Sequence, residues 1–401
     1  MPNPLLGVFY HWLGGLASAS FYLFYRPVKQ WSWETYWLVG GFFSWIIAPM
    51  GLAWLLVPNL WSTIQATDTH VLMWVYFFGV LWGFGGLTYG LTMRYLGLAL
   101  GMAVVLGFCA AFGTLVPPLL NGQLALMIQK PSGLCILAGV ATCLVGIGIS
   151  GMAGTSKEKE LSDEEKTAAI REFNFGKGML VATFSGVMSA CFSYGLQAGK
   201  PLGVLAKASL LTNGGSDLWQ NLPILVVILW GGFTTNFVWC VLLNLKNRTG
   251  HEYLDLRRTA VGEVSMAEGM MLSSAPEEES LRATAKPGAV ERPAGPAPLL
   301  PNYIFSALAG TCWYMQFFFY SMGQTKMGKY DFSSWTLHMA SIIIFGTLWG
   351  IWFKEWKGTS KRTHSLVWLG LFVLVSSTVV VGWGNYIAAQ EAKAVPAVTA
   401  H

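Results

Sequence analysis

The sequence predicts an all-α membrane protein of about ten transmembrane helices in two inverted five-helix repeats, on the strength of its composition, its apolar spacing and an internal repeat. Of the 401 residues, 54% are hydrophobic and only 11% charged, against roughly 25% charged in an average soluble domain. The chain holds 19 Trp, and its 46 Gly are spread through the apolar stretches, as close helix packing in lipid requires. A lipid environment follows, and a soluble fold is excluded.

Stretches long enough to cross roughly 30 Å of hydrocarbon run at 5–25, 34–56, 71–93, 97–120, 132–151, 177–199, 218–245, 302–323, 333–354 and 364–387. The N-terminus lacks a basic leader and a small-residue cleavage pattern, so the first stretch is expected to stay as a span. Two polar segments interrupt the series. In 152–176, Ser162 and Glu165 form a capping box for a short amphipathic helix outside the bilayer. The second, 246–301, carries six prolines and the run Glu277, Glu278, Glu279, the composition of a flexible linker. The expected organisation is a first repeat over 1–151, a polar cytoplasmic linker over 152–176, a second repeat over 177–387 interrupted by the cytoplasmic loop 246–301, and a C-terminal tail over 388–401.

The loops after spans 1, 3, 5, 7 and 9, with Lys177 and Lys354 at the adjoining span ends, hold 19 of the 25 Lys and Arg residues. Those loops are therefore expected on the cytoplasmic side of the membrane, with both termini periplasmic. The net charge of +5 has its role in this orientation, and nucleic-acid binding is not indicated. All six cysteines lie in apolar stretches, so neither a disulfide framework nor a zinc spacing can be read.

The internal repeat is the most informative feature. Gly7, Gly15, Ser18, Ala19, Phe21 and Lys29 recur 171 residues later as Gly178, Gly186, Ser189, Ala190, Phe192 and Lys200. Gly40, Gly41 and Phe42 recur 191 residues on as Gly231, Gly232 and Phe233. Gly79, Trp82, Tyr89 and Gly97 recur 231 residues on as Gly310, Trp313, Tyr320 and Gly328, and Gly139 and Gly151 as Gly370 and Gly382 at the same offset. An odd number of spans per copy makes the second copy enter the membrane from the opposite side, the architecture of an alternating-access transporter.

Ionisable groups inside a bilayer are costly and tend to be functional. His11 in span 1 and His338 in span 9 lie well inside their spans, at similar depths if both spans start from the same side. Each is either a proton carrier or a neutral imidazole bonded to a nearby carbonyl or hydroxyl. Glu34, Asp331, Glu355 and Asp217 lie near span ends. Glu34 follows Ser32, and Asp331 precedes Ser333 and Ser334, so capping of spans 2 and 9 is their plain reading. An imidazole titrates near 6.5, which makes His338 and His11 candidates for proton coupling, joined by Asp331 and Glu34 if burial raises their proton affinity.

At helical spacing Trp313, Gln316, Phe317, Tyr320 and Gln324 share one face of span 8. Ser334, Trp335, His338 and Ser341 share one of span 9, and His11, Gly14, Ser18, Tyr22 and Tyr25 one of span 1. Interleaved aromatic rings and amides suit a sugar, whose C–H face stacks on aromatic rings while its hydroxyls need partners once dehydrated. The expected site comprises Trp313, Gln316, Tyr320 and Trp335, with Tyr89 opposite and His11 and Ser18 on span 1; a helix-packing face is the alternative.

The segments Trp31-Ser-Trp-Glu-Thr35, Tyr89-Gly-Leu-Thr-Met-Arg-Tyr-Leu-Gly97, Trp313-Tyr-Met-Gln-Phe-Phe-Phe-Tyr320 and Trp335-Thr-Leu-His-Met339 resemble the L-rhamnose–proton symporter family of the drug/metabolite transporter superfamily. The resemblance covers nearly the whole chain. It implies proton-driven uptake of L-rhamnose into a bacterium, with the proton as coupling ion and no other cofactor. The sequence departs from the family pattern in the insertion 246–301, and in Gly86 and Thr88, where Asn is frequent; a related deoxy- or L-sugar is the next candidate substrate. Two other readings compete: a drug or metabolite exporter on the same fold, and a membrane-embedded enzyme. The enzyme lacks support, because no HExxH, Gly-x-Ser-x-Gly or phosphate-loop motif occurs.

Overall fold

The computed structural model describes residues 2–160, 174–254 and 297–394, and among these no strand occurs. Eight helical stretches are long and apolar enough to cross a membrane: Trp33–Leu56, Thr69–Leu96, Leu100–Leu120, Pro131–Glu160, Phe175–Ala198, Asp217–Asn247, Gly328–Trp352 and Lys361–Lys393. Two further long helices, Pro4–Tyr25 and Leu299–Lys326, fall outside that set. They carry the polar residues, His11, Ser18, Gln316 and Gln324 among them, that lower their hydropathy. In chain order the long helices are α1 (Pro4–Tyr25), α2 (Trp33–Leu56), α3 (Thr69–Leu96), α4 (Leu98–Leu120), α5 (Pro131–Glu160), α6 (Phe175–Ala198), α7 (Leu222–Asn247), α8 (Leu299–Lys326), α9 (Ser334–Trp352) and α10 (Lys361–Ala394).

Local chemistry sets the helix starts. Asn3 accepts from Leu6 N at 3.2 Å with Pro4 in the first turn of α1, Asp68 accepts from His70 N at 2.7 Å before α3, and Asn174 accepts from Lys177 N at 3.0 Å before α6. Within α2 the ladder slips into a π turn over Phe43–Ile47, where the Ala48 N–H returns five residues to the Phe43 carbonyl. Pro49 is the cause, since it has no N–H to offer Trp45.

Packing joins α1 to α8 and α9, α6 to α3 and α4, α2 to α8, α7 to α3, and α5 to α10. Two crossings bring backbones into contact. A Cβ on Gly310 of α8 would lie 1.9 Å from the Gly40 carbonyl oxygen of α2, and a Cβ on Gly79 of α3 would lie 2.0 Å from the Ile228 oxygen and 3.2 Å from Gly231 Cα of α7. Only glycine fits at either crossing.

The helices run past several expected boundaries. Helix α5 continues beyond 151 to Glu160, α7 ends at Asn247, α8 begins at Leu299 inside the expected linker, and α10 reaches Ala394. The part of 246–301 that is described is structured. A 3-10 turn over Gly250–Tyr253 follows α7, and the Tyr303 hydroxyl donates to the Tyr253 carbonyl at 2.7 Å. The ring of Trp31 lies 4.8 Å from Tyr303 and 6.5 Å from Tyr253, centroid to centroid. The expected capping box at Ser162 and Glu165 and the acidic run at 277–279 lie outside the described residues.

The capping roles expected of Glu34 and Asp331 are not what these side chains do. Ser32 makes no side-chain cap bond. The start of α2 is held by Glu252, which accepts from Ser32 N at 2.6 Å, Ser32 Oγ at 2.7 Å and Thr35 Oγ1 at 2.8 Å. Glu34 instead accepts from Asn247 Nδ2 and Thr249 Oγ1, each at 2.9 Å. Asp331 pairs with Lys200 Nζ at 3.0 Å, and no side chain caps α9.

Candidate functional site

Helices α1, α8 and α9 meet around a cluster of buried polar and aromatic side chains: His11, Gln316, Tyr320, Trp335, His338 and Ser341. Close approach depends on small residues. A Cβ on Gly14 would stand 2.9 Å from the backbone carbonyl oxygen of Gln316, and one on Gly323 would stand 2.8 Å from the His11 ring. The two histidines flank Tyr320, with ring centroids at 5.2 Å from His11 and 5.3 Å from His338.

An amide oxygen can only accept, so the 3.3 Å contact of His338 Nε2 with Gln316 Oε1 places a hydrogen on Nε2. The other ring nitrogen of His338, both nitrogens of His11 and the Gln316 amide nitrogen have no hydrogen-bond partner. Ser341 Oγ is shared between the carbonyl oxygens of His11 at 2.9 Å and His338 at 2.8 Å, tying α9 to α1 at this level. Buried polar groups are almost always paired, so a hydroxyl, a water or a proton has several receptors waiting here.

A second feature lies farther along α1. Phe21, Tyr25, Trp37, Ser44, Trp45 and Trp313 surround a cavity of about 10 Å³, floored by Gly40, Gly41 and Gly310. This is room for a single water. Phe21 stands 4.2 Å from Trp313 and Trp37 6.1 Å from Trp45, centroid to centroid. Ser44 and Trp45 sit on the π turn.

The structure thus divides the residues expected to form one site. Gln316, Tyr320, Trp335, His338 and His11 are brought together, whereas Trp313 lines the aromatic cleft. The Trp335 indole is already engaged: its N–H donates to the Cys109 carbonyl at 3.0 Å and its ring stacks on Phe192 at 5.9 Å. Ser18 is buried on α1 between the two features. Tyr89 packs elsewhere, in a cluster with Leu96, Val105 and Ala182. Asp331 lies at the edge of the molecule with Lys200, within electrostatic reach of Tyr320. Glu34 is buried among Asn247 and Thr249, at the opposite end of α1 from Asp331. Phe21, Trp37, Ser44 and Trp45 were not expected from sequence; the signal that could have found them is Pro49, four residues after Trp45, just past Gly40-Gly41.

Comparison with known proteins gives this arrangement a family. The profile of the L-rhamnose-proton symport protein family matches residues 1–260 and 290–388. The L-rhamnose-proton symporter of Pectobacterium atrosepticum is 34% identical over 386 residues, which cover 96% of this chain and 99% of that protein. The proteins of the same name from Salmonella gallinarum and Citrobacter koseri are 35% and 34% identical over 380 and 382 residues, each covering 94% of this chain and 97% of the relative. With nearly the full length matched, and with the break in the match falling inside the segment read as an insertion, the chain belongs to the L-rhamnose-proton symport protein family.

Proposed function

We propose that this chain is a proton-coupled importer of a monosaccharide, L-rhamnose first, working by alternating access across a bacterial inner membrane. The observation that carries the reading is the buried His11–Tyr320–His338 cluster, with unpartnered imidazole nitrogens, whose Tyr320 shares helix α8 with Trp313 of an aromatic cleft. A transporter of this kind needs a group whose proton affinity changes with access and with sugar. His338 and His11 have that character, because a buried imidazolium without a counter-ion is costly and a partner supplied by sugar or water offsets the cost. Asp331, paired with Lys200 at the edge and near Tyr320, is a stage through which a proton reaches them; Glu34 is a further candidate at the other face. Gln316, Tyr320, Trp313, Ser18 and His11 offer partners for sugar hydroxyls, with Trp335 packed behind them and Tyr89 held in its separate cluster in this conformation.

In this reading α1 to α10 are ten spans in two inverted halves, 1–151 and 177–387. The two glycine crossings support it: Gly40 and Gly231 are repeat mates, Gly79 and Gly310 are repeat mates, and the crossing of α2 with α8 is matched by that of α7 with α3. The packing of α1 on α8 and α9 is likewise matched by that of α6 on α3 and α4. Each crossing joins one half to the other. The loops after α1, α3, α5, α7 and α9 face the cytoplasm and both termini the periplasm.

Proteoliposomes test the function directly. With an imposed pH gradient, the wild-type protein is expected to accumulate radiolabelled L-rhamnose against its gradient, and a protonophore should abolish accumulation while leaving exchange intact. Accumulation that ignores the protonophore would remove the proton from the mechanism, and extrusion of unrelated amphiphiles without sugar movement would favour the exporter.

A further inference from the structure

The repeat permits a comparison within the molecule, position by position. The repeat mates of Phe21, Tyr25, Trp37, Ser44, Trp45 and Trp313 are Phe192, Leu196, Ile228, Thr235, Asn236 and Trp82. The second set makes a filled interior. Ile228 and Leu196 are fully buried aliphatic side chains, Trp82 packs edge-on against Phe192 at 5.2 Å, Thr235 Oγ1 donates to the Val80 carbonyl at 2.9 Å, and Asn236 accepts from Trp37 at 3.2 Å. The side chains of Thr235 and Asn236, the mates of Ser44 and Trp45, thus both have partners.

The first set differs in each respect. Where the mates are aliphatic it has Trp37 and Tyr25, and a cavity remains between the rings. The Ser44 hydroxyl and the indole N–H groups of Trp45 and Trp313 are buried without a hydrogen-bond partner, with Ser44 1% and Trp45 3% exposed. The π turn adds an acceptor. The Ser44 carbonyl loses its usual donor because Ala48 N–H turns to Phe43, and the next residue in line, Pro49, has no N–H. The residues lining the cavity thus bring two indole donors, a hydroxyl and a carbonyl without partners, among apolar ring faces, the two kinds of group that a pyranose with hydroxyls on its rim and a C–H face requires.

We propose that the aromatic cleft between α1, α2 and α8, with Ser44, Trp45 and Trp313 as its polar contacts and Phe21 and Trp37 as its stacking faces, is the subsite that holds the sugar ring. The inference rests on the sugar-transport reading and adds to it a location apart from the histidine cluster. In the described conformation the cleft is closed to the size of one water, so binding requires α2 to move away from α8. The π turn is the place for that movement, because the regular ladder is already broken there. Trp313 lies one helical turn from Gln316, so the sugar and the histidines read each other through a single turn of α8.

The test is equilibrium binding of L-rhamnose to the purified full-length protein in nanodiscs, with thermal unfolding recorded for each variant. Trp45→Phe keeps an aromatic face but removes the N–H together with the pyrrole half of the indole, and Ser44→Ala removes only the hydroxyl; each is expected to weaken binding about five- to tenfold. Thr235→Val, the mate of the Ser44 change at a position whose hydroxyl already has a partner, is expected to leave affinity within about twofold. Wild-type affinity in both Trp45→Phe and Ser44→Ala overturns the subsite and leaves the transport reading standing. Failure of the wild-type protein to bind any monosaccharide overturns both. If Trp45→Phe unfolds at the temperature of use, Ser44→Ala decides alone.

Discussion

At the scale of single residues, the two positions that the repeat relates are chemically unlike. The mates of His11, Gln316, Trp335 and His338 are Ala182, Gly85, Val104 and Gly107, none of which can carry a proton. This explains where Tyr89 lies: it is the mate of Tyr320, and it packs against Ala182 as Tyr320 packs against His11. Two predictions belong here. His338→Gln is expected to retain sugar exchange in proteoliposomes but to lose uphill accumulation, whereas Asp331→Asn, which breaks a pair with a half-exposed lysine, should slow accumulation without abolishing it. Full accumulation by His338→Gln would move the proton to His11. Gln316→Ala removes the partner of His338 Nε2 and should weaken sugar binding by about 1 kcal/mol, together with an altered pH profile of uptake. The histidines were legible in the sequence because an ionisable residue in lipid stands out by type alone. Ser44 and Trp45 were not, since a hydroxyl or an indole becomes distinctive only when its partner is missing, and that is a property of three dimensions.

At the scale of elements, helix identity and order followed from apolar stretches, but the ends did not. Glu252 holds the start of α2 across more than 200 residues of sequence, so no local pattern near Ser32 could announce it. Glu252→Ala should lower stability by about 2 kcal/mol through three lost bonds to a carboxylate, and Ser32→Ala should add little to it in the double variant. Thermal unfolding in detergent measures both. The glycine crossings make a sharper case. Gly310→Ala and Gly79→Ala each force a methyl into a carbonyl of the facing helix and should each cost at least about 1–3 kcal/mol, with similar effects because the two positions are repeat mates. A large cost at one and none at the other would argue against their equivalence.

At the scale of the whole molecule, orientation is the property most open to direct measurement. In a background lacking the six native cysteines, Thr212→Cys should react with an impermeant maleimide added to intact cells, and Lys361→Cys should react only after permeabilisation; the reverse pattern would invert the topology. The bond from Tyr303 to Tyr253, with Trp31 against both rings, has a consequence of its own. The chain departs after Leu254 and comes back at Ala297 beside its point of departure, so the polypeptide between them is a detour whose two ends are already pinned together. The contact between α7 and α8 at this end does not depend on that stretch, and a change in the length of a chain between two fixed points costs little. The family profile passes over 261–289, as it would for a stretch free to be long in one lineage and short in another. Replacing those residues with a short Gly/Ser connection should leave the rate and proton dependence of uptake unchanged, while Tyr303→Phe, with the detour left at full length, should loosen the joint between α7 and α8 and lower the unfolding temperature.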